Sequence, residues 1–406
     1  MQTDREAIDA LASRLRPEFP MLAREIDGQP LVFLDSASTT PKPRSVIDAV
    51  TRYYTEMGAN VHRGVHPFGE ASTQAYERAR HAVASLIGAS PGEIVFTRNA
   101  TESFNLVAQG LGLEKDDEVV FPASEHHSNY MPWRLKAKTV LVDIDDEAVP
   151  RYQQIKERLS PRTRLVTLAH VSNVTGVVAP VEEWIATAHA AGVPVMVDAS
   201  QSVSHLPIDV RKLDCDFLAF SSHKIFGPSG VGVLYVRKDR FEHLQLWNVG
   251  GGMVNYHGED RFEVREAPFR YEAGTPNIEG AIGLGAAIEY VRAAKLDEIA
   301  KHSRALGAQL VEGLRSLPGA KVLGAHVPSA SRVALCTVSV PVPSMTQANL
   351  ARLLADSHAI LVSGGFHCAH ILHHRVQLDG TLRASAHLFT DEEDIERLIG
   401  ALRDLV

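Results

Sequence analysis

The sequence predicts an α/β protein in which a large domain with a doubly wound, mainly parallel sheet precedes a smaller α+β domain. Three observations support this prediction. Between residues 31 and 237, short apolar runs alternate with amphipathic segments of helical period. Several runs are continuous stretches of Val, Ile, Leu and Phe, which is typical of strands buried on both faces. Beyond residue 276 long helical segments come first, then a mixture of strands and helices, and 406 residues suffice for two domains.

In the large domain, predicted strands and helices alternate along the chain. The predicted strands cover residues 93–97, 118–122, 139–144, 165–171, 193–197, 217–221 and 231–236. The predicted helices cover residues 43–58, 71–87, 102–111 and 181–191. Such alternation favours a parallel sheet with helices on both of its faces.

The charged, aromatic segment 256–270 interrupts this alternation, and we interpret it as an irregular excursion or a hairpin. The elements predicted after it are helices 279–294, 296–317 and 346–358, strands 332–340 and 382–388, and a final helix 391–405. A capping box, with Thr390 three residues before Glu393, is expected to open that final helix. We predict an N-terminal segment 1–30 that packs with the small domain, a large domain 31–285 and a small domain 286–406.

Composition and charge argue against several classes of protein. The formal net charge of −8 is unlike that of a nucleic-acid binder, which needs a basic face. No apolar run approaches the roughly 20 residues that span a bilayer, so we expect no membrane partner. The first six residues, MQTDRE, lack the basic-then-apolar order of a secretory signal, which predicts a cytoplasmic protein. Three cysteines do not make a disulfide framework.

Two predicted strand ends carry complementary chemistry. Lys224 follows the strand at 217–221, among small and hydroxylated residues, where it can form a Schiff base with an aldehyde cofactor. Asp198 follows the strand at 193–197, where it can keep a pyridine nitrogen protonated, and Gln201 can donate to the phenolic oxygen of such a ring. Taken singly, Lys224 is more typical of an exposed loop lysine, and Asp198 is also typical of a helix cap.

Two further turns suit the same ligand. Ala100 and Thr101 join a strand to the N-terminus of a helix, where free N–H groups and the helix dipole favour a phosphate. An ordinary helix cap by Asn99 or Thr101 is the alternative. His126 can stack over a flat ring, or it can form a surface pair with His127. The four signals follow one another at successive strand ends, and together they indicate pyridoxal phosphate.

At this point the sequence resembles a known family, the class V (fold type I) enzymes that depend on pyridoxal phosphate. Within that family it is similar to the SufS-like, type II cysteine desulfurases and selenocysteine lyases. The matching segments are 34–37 (LDSA), 61–66 (VHRGVH), 125–127 (EHH), 170–173 (HVSN), 198–201 (DASQ), 221–224 (SSHK), 271–277 (YEAGTPN) and 383–385 (RAS). They follow the family's order over nearly the whole chain, so the resemblance implies the fold type I transferase architecture.

The resemblance also implies a role for each matching residue. Lys224 corresponds to the Schiff-base lysine, Asp198 to the partner of the ring nitrogen, Gln201 to the partner of the phenolate, and His126 to the stacking ring. The residues that correspond to phosphate ligands are Thr101, Ser221, His223 and Thr275. The family supplies the last of these, Thr275, from the other subunit, which implies a homodimer with its active site at the interface. Asn173 and Arg383 correspond to the groups that hold the substrate carboxylate, a task that suits the planar guanidinium fork.

In the resembled desulfurases, the residue that corresponds to Cys368 is the nucleophile. Its thiolate takes the sulfur of substrate cysteine, and alanine is released. A neighbouring histidine, His367, is expected to favour the thiolate, and Gly364 and Gly365 are expected to let the loop move. The other two cysteines, Cys215 and Cys336, lie in apolar runs, which predicts small buried side chains.

The segment around Cys368 also departs from the family pattern. Ser363 stands where the family has an arginine, and Phe366 stands where it has a histidine, which suggests a more apolar or bulkier substrate contact. Four histidines gather here, but their spacing does not match a usual zinc signature, so we predict no metal site. We expect His370, His373 and His374 to line an exposed helical turn.

The first hypothesis is therefore a homodimeric, pyridoxal-phosphate-dependent cysteine desulfurase that forms a persulfide at Cys368 and passes its sulfur to a protein acceptor. The second is a C–S lyase that acts by β-elimination on a modified cysteine or a cysteine conjugate. An aminotransferase or epimerase of the same class is a third. A cofactor-binding scaffold without catalysis comes from a different class, and the joint presence of Lys224, Asp198, His126 and Arg383 argues against it.

Overall fold

A computed structural model describes residues 10–406 of the chain. Residues 1–9 of the predicted N-terminal segment lie outside this described part. The strands are β1 (Glu25–Ile26), β2 (Gln29–Pro30), β3 (Val32–Phe33), β4 (Ile94–Thr97), β5 (Glu118–Pro122), β6 (Lys138–Val142), β7 (Thr163–Ala169), β8 (Val195–Asp198), β9 (Phe217–Ser221), β10 (Gly232–Val236), β11 (Val254–His257), β12 (Phe262–Val264), β13 (Lys321–Val322), β14 (Leu335–Ser339), β15 (Ile360–Leu361), β16 (Ser363–Gly365) and β17 (Thr381–Ser385). The helices are α1 (10–15), α2 (Arg44–Arg52), α3 (Pro67–Leu86), α4 (Ala100–Gly110), α5 (Met131–Lys136), α6 (Ile155–Arg158), α7 (Val181–Ala190), α8 (Val210–Leu213), α9 (Ile278–Ala293), α10 (Leu296–Arg315), α11 (Gln347–His358), α12 (His370–Arg375) and α13 (Glu392–Arg403).

A seven-stranded sheet forms the centre of the larger part, with the strand order β4-β10-β9-β8-β7-β5-β6. Strands β9, β8, β7, β5 and β6 run parallel to one another, whereas β10 pairs antiparallel with both β4 and β9. The predicted mainly parallel sheet is confirmed. All seven predicted strands occur, with ends displaced by up to a few residues.

Both faces of this sheet are buried, which explains the continuous apolar runs. On β5, Val119 and Phe121 belong to one apolar cluster, whereas Val120 between them belongs to the cluster on the opposite face. Successive side chains of a strand point to opposite faces, so a strand covered on both sides needs an apolar residue at every position. The predicted doubly wound architecture follows from this burial.

The smaller part is built around the antiparallel sheet β13-β14-β17-β16 and the helices α10, α11 and α13. Segment 256–270 contains the β11–β12 hairpin, one of the two arrangements expected for it. The final helix is capped by Asp391, whose carboxylate accepts from the Asp394 amide, so the predicted capping box at Thr390 is wrong. The Thr390 hydroxyl instead accepts from the His387 amide and closes the preceding turn.

The predicted domain limits stay a prediction. Residue 285 lies inside α9, one continuous helix that packs against α2 and α3. Residues 10–30 touch both parts: Arg16 is 2.6 Å from Asp394 of α13, and the ring of Phe19 contacts the ring of Phe226 of the larger part. Within residues 10–406, no helix combines the length and the apolar character needed to cross a bilayer.

Three buried histidines meet where the two parts join. The rings of His205 and His387 stack with centroids 4.3 Å apart. His205 Nδ1 lies 2.9 Å from Ser303 Oγ, and His302 Nε2 lies 3.2 Å from the His387 carbonyl oxygen. Burial lowers the pKa of His205 to about 4, and that of His387 well below its ordinary value. His205 and His387 are therefore neutral imidazoles at this junction.

Candidate active site

A cavity of about 410 Å³ opens at the carboxyl edge of the seven-stranded sheet, the usual place for a ligand in this architecture. Segments that follow β4, β5, β7, β8 and β9 form one wall, which we call the sheet wall. Residues from β16, β17 and the Cys368 loop, defined as residues 366–369, form the opposite wall, which we call the loop wall. The predicted site residues that line the cavity are Ala100, Thr101, His126, Asn173, Asp198, Gln201, Ser221, His223, Lys224, Cys368 and Arg383.

Asp198 and Lys224 face the cavity from neighbouring strand ends. The Asp198 carboxylate accepts from the Ser200 amide at 2.8 Å, and no α-helix begins there, so the alternative of a helix cap is wrong. Burial raises the pKa of Asp198. Burial lowers the pKa of Lys224 to about 8, although the Asp198 carboxylate opposes this shift. Lys224 is therefore a half-buried amine that can lose its proton near neutral pH, and not an exposed loop lysine.

A segment that the sequence analysis missed fixes the peptide bond before Lys224. The His223 carbonyl oxygen accepts from the Thr40 amide at 3.0 Å, and it also lies 3.1 Å from Thr40 Oγ1 and 3.3 Å from Lys42 Nζ. The Phe226 amide donates to the same Thr40 hydroxyl at 2.8 Å. The two ends of the Lys224 turn are thus held from one side. Only the preceding motif, LDSA at 34–37, drew attention to this region of the sequence.

His126 presents a neutral ring to the cavity. Burial, followed by the nearby charge of Lys224, lowers its pKa to about 3. Its Nδ1 accepts from the Ser128 amide at 3.1 Å, which leaves the remaining proton of the neutral ring on Nε2. A neutral imidazole held in one orientation is suited to stacking on an aromatic ring.

The turn before α4 serves both of its predicted roles, a helix cap and a set of donors for a phosphate. Asn99 is the helix cap, and its side-chain oxygen accepts from the Glu102 amide. The hydroxyl of Thr101 remains at the cavity, 2.6 Å from Ser128 Oγ, and the Ala100 amide donates to Ser221 Oγ at 2.9 Å. Hydroxyl groups beside the positive end of an 11-residue helix form a donor set that suits a phosphate.

Gln201 lies deep in the same wall. Its Nε2 donates to the Ala37 carbonyl oxygen at 3.0 Å, which fixes the side-chain amide. The second hydrogen of this NH₂ group stays available for an acceptor in the cavity.

Arg383, on β17, is anchored by residues from distant parts of the chain. Its Nη1 donates to the Asn173 carbonyl oxygen at 3.0 Å, and its Nη2 donates to Ser38 Oγ at 2.8 Å. Asp35 lies 3.6 Å from the same Nη2. The buried Nε has no hydrogen-bond partner among residues 10–406. A buried guanidinium with an unused donor beside a cavity suits a carboxylate ligand.

The backbone of the Cys368 loop lies in an uncommon conformation. His367 and Cys368 both have positive φ angles, 48° and 55°, and Gly365 before them has 128°. A non-glycine residue in this region costs about 1–3 kcal/mol and persists only where surrounding contacts compensate it. The Cys368 side chain is exposed and lines the cavity, whereas Cys215 and Cys336 are buried as predicted.

Two expectations for this loop are wrong. Burial, reinforced by Arg383, lowers the pKa of His367 to about 2, so His367 is neutral and supplies no positive charge to favour a thiolate. Phe366 does not line the cavity; its ring stacks on His370 at 4.4 Å and so makes no substrate contact there. Ser363 does line the cavity, and it pairs directly with Arg383 across the β16–β17 ladder.

The other histidines near the loop have separate environments. His370 and His374 are exposed as expected, but His373 is fully buried, so the expectation is wrong for that residue. His373 Nδ1 lies 3.0 Å from the Ala369 carbonyl oxygen, and its Nε2 lies 2.9 Å from Thr381 Oγ1. Residues 10–406 contain no group of three or more His, Cys, Asp or Glu side chains arranged for a metal ion.

Thr275 lies apart from the other predicted ligands. It borders a surface cavity of about 460 Å³ together with His62, Arg63 and Glu272. That Thr275 of one subunit contacts the phosphate site of a second subunit stays a prediction.

A doubly wound sheet with a lysine, an aspartate and a histidine at its carboxyl edge matches a known class of enzyme. The family model described as "Aminotransferase class-V" matches residues 32–398. The chain therefore belongs to the class V aminotransferase family.

Relatives within this family narrow the comparison. A "Probable cysteine desulfurase" from Synechocystis sp. is 39% identical over 405 residues, which cover 98% of this chain and 96% of the relative. A cysteine desulfurase from Thermococcus onnurineus NA1 is 36% identical with a TM-score of 0.91, over 97% of this chain and 98% of that one. The cysteine desulfurase CsdA from Escherichia coli is 35% identical with a TM-score of 0.87, over the same shares. The resemblance to cysteine desulfurases is confirmed.

Proposed function

We propose that this protein is a pyridoxal-phosphate-dependent cysteine desulfurase that converts L-cysteine to L-alanine and receives the sulfur on Cys368 as a persulfide. One observation carries the proposal. An exposed thiol and the half-buried Lys224 line the same cavity as the anchored Arg383, so a nucleophile, a proton carrier and a carboxylate site surround one ligand. The full-length similarity to cysteine desulfurases supports the same activity.

The donor set of the sheet wall fits pyridoxal phosphate. Lys224 would hold its aldehyde carbon, Asp198 its ring nitrogen, Gln201 its phenolic oxygen, and His126 one face of its ring. The groups available to its phosphate are the Ala100–Thr101 helix end, Ser221 and His223, with Thr275 of a second subunit. Bound pyridoxal phosphate supplies an electron sink that stabilises negative charge on the substrate α-carbon.

The chain's own residues supply positioning and proton transfer. Arg383, oriented by Ser38 and by the Asn173 carbonyl, binds the substrate carboxylate. Lys224 Nζ, whose pKa is about 8, takes the proton from the α-carbon because a substantial fraction of the amine is neutral near pH 7–8.

Cys368 performs the sulfur transfer. Its Sγ, as the thiolate, forms a bond to the substrate Sγ while the substrate Cβ–Sγ bond breaks. The electron pair of that bond remains on the substrate Cβ, which takes up a proton. The α-carbon regains the proton held by Lys224, and alanine leaves. Cys368 keeps the transferred sulfur as a persulfide, so atoms and electrons balance without an added oxidant.

The proposal includes the assembly and setting expected from the resemblance. Two copies of the chain form a homodimer in which Thr275 of each copy reaches the phosphate site of the other. A protein acceptor takes the persulfide sulfur, and the enzyme works in the cytoplasm. The proposed division is an N-terminal segment 1–30, a large cofactor domain 31–285, and a small domain 286–406 that carries Cys368 and Arg383.

Product analysis with matched cysteine variants tests the activity. We expect holoenzyme with L-cysteine to give alanine and a persulfide, and Cys368→Ala to lower alanine formation by about 100-fold or more, since the nucleophile is lost. Cys336→Ala, which alters a buried cysteine of the small sheet, is the control and keeps the activity within about twofold, because no catalytic contact is removed. Full alanine formation by Cys368→Ala contradicts the proposal.

One observation favours a second candidate, a C–S lyase that acts on a modified cysteine. Ser363 leaves a small, neutral side chain beside Arg383 in the loop wall, which gives room for a larger sulfur substituent. In that reaction β-elimination expels the sulfur group without a nucleophilic cysteine. Pyruvate and ammonia as products, with Cys368→Ala fully active, would establish the lyase.

A further inference from the structure

The Cys368 loop is tied to the sheet wall at two backbone carbonyls. The His127 amide donates to the Cys368 carbonyl oxygen at 2.8 Å. Asn173 Nδ2 donates to the His367 carbonyl oxygen, also at 2.8 Å. Both loop residues have left-handed backbone angles, and these two hydrogen bonds help to hold that strained conformation.

A pair of imidazoles reinforces the first of these ties. His370 opens α12 directly after the loop, and its Nδ1 lies 3.2 Å from His127 Nε2. The two rings are stacked, with centroids 5.0 Å apart and planes 21° apart. The His370 amide also points at the same His127 Nε2, at 3.5 Å. This nitrogen is therefore assigned as the acceptor of the pair, with the proton of His127 on Nδ1.

Phe366 stacks on the ring of His370. Its ring lies 4.4 Å from the His370 ring, with an interplanar angle of 16°. Phe366, His370 and His127 thus form three stacked layers, which we call the ring stack. Its first layer belongs to the Cys368 loop, and its last belongs to the segment that carries His126. The ring stack therefore connects the nucleophile to the residue that faces the cofactor site.

We propose that the ring stack holds the Cys368 loop closed on the cavity, with His127 and His370 as positioning residues for the thiol. Neither residue contacts the reacting atoms; each acts through the loop. The proposal rests on the proposed function of Cys368 as nucleophile. It gives a role to Phe366 and His370 that is distinct from contact with the substrate.

Alkylation of Cys368 in the holoenzyme measures, without turnover, how firmly the loop holds the thiol at the cavity. The other two thiols are buried, so iodoacetamide reports on Cys368. We expect His370→Ala to raise the alkylation rate about tenfold and to lower kcat for alanine formation about tenfold, because misplacing a reacting group by about 1 Å costs up to about 100-fold. KM for cysteine stays within about twofold, because Arg383 and the cofactor site are unchanged.

Two other variants separate closure from general stability. His370→Phe keeps the stacking but removes the imidazole pair, and we expect effects intermediate between the wild type and His370→Ala. His374→Ala removes an exposed histidine of the same helix that meets Phe366 and His370 only edge-on, at 6.4 Å. It should change neither rate by more than about twofold. If His370→Ala lowers the midpoint of thermal unfolding substantially, the alkylation rate and kcat of His370→Phe decide whether the ring stack holds the loop.

Two results would overturn the proposal: alkylation and kcat of folded His370→Ala and His370→Phe that match the wild type, or equal effects from His374→Ala. Failure of the proposed function has a different signature. If Cys368→Ala still forms alanine at the full rate, Cys368 is not the nucleophile, yet the alkylation rates still decide whether the ring stack holds the loop.

Discussion

The two walls of the cavity are built in different ways. The sheet wall places Asp198, Lys224 and His126 at the ends of buried strands, and burial shifts the pKa of each of these side chains. The loop wall carries Cys368 on a loop of four residues. The thiol of Cys368 is exposed, and the backbone of the loop is strained. The difference fits the proposed function, because tuning the pKa of a proton carrier requires removal from water, whereas a thiol that receives sulfur and passes it on requires access.

The largest effect is expected on the sheet wall. Lys224→Ala should lower turnover by about 1000-fold or more, since it removes both the covalent anchor and the proton carrier. Borohydride reduction followed by peptide mapping should place the cofactor on Lys224. Lys238→Ala, at an exposed lysine, is the control and should keep full activity. A cofactor label on Lys42, whose pKa is also lowered by burial to about 8, would contradict the assignment.

A smaller effect is expected where the two walls meet. Asn173 lies on the sheet wall, yet its side chain donates to the loop carbonyl of His367. Asn173→Ala should lower kcat/KM for cysteine by about 10- to 100-fold and also speed alkylation of Cys368, since a bond that holds the loop is lost. If KM for cysteine rises while the alkylation rate of Cys368 is unchanged, Asn173 acts only at the site for the substrate carboxylate. Asn349→Ala, at an exposed position on α11, provides the control.

The smallest effect concerns the junction that brings the two walls together. Burial lowers the pKa of His205 from its ordinary value near 6.5 to about 4, so between these values the unfolded chain binds a proton that the folded chain does not. This contribution to stability is complete above about pH 6.5 and is lost as the pH falls towards 4. It amounts to about 2 kcal/mol between pH 7.5 and 5, because about 1.4 kcal/mol is lost per pH unit over the roughly 1.5 units below pH 6.5.

Urea unfolding at pH 7.5 and pH 5 measures this loss. His205→Asn, whose amide can still bond to Ser303, should show a smaller decrease of the unfolding midpoint at pH 5 than the wild type. An equal decrease in both proteins would show that His205 does not titrate as its burial indicates.

The sequence alone predicts the sheet wall well, for a physical reason. Apolar runs place Asp198 and Lys224 at strand ends, and parallel strands bring their carboxyl ends to one edge. Asp35, Ser38 and Thr40 could not be found in this way, because they reach Arg383 and the Lys224 turn through contacts more than 180 residues apart in sequence.

The loop wall was harder to predict because side-chain direction there depends on backbone angles. Positive φ angles at Gly365, His367 and Cys368 turn Phe366 towards His370 and away from the cavity. No periodicity in the sequence predicts such backbone angles. The burial of His373 depends likewise on its partner Thr381, which comes from β17.

The tight packing of Gly364 limits how far the segment that carries Cys368 can move a sulfur atom. A Cβ at this position would lie 2.4 Å from the Gln347 carbonyl oxygen, so β16 is packed tightly against the start of α11. On the other side, Ala369 is buried. The segment between these two packed residues, 365–368, is four residues long, and at roughly 3.4 Å per residue its middle cannot reach more than about 7 Å from the line between its ends. Any molecule that collects the sulfur must bring its own reactive group to the mouth of the cavity.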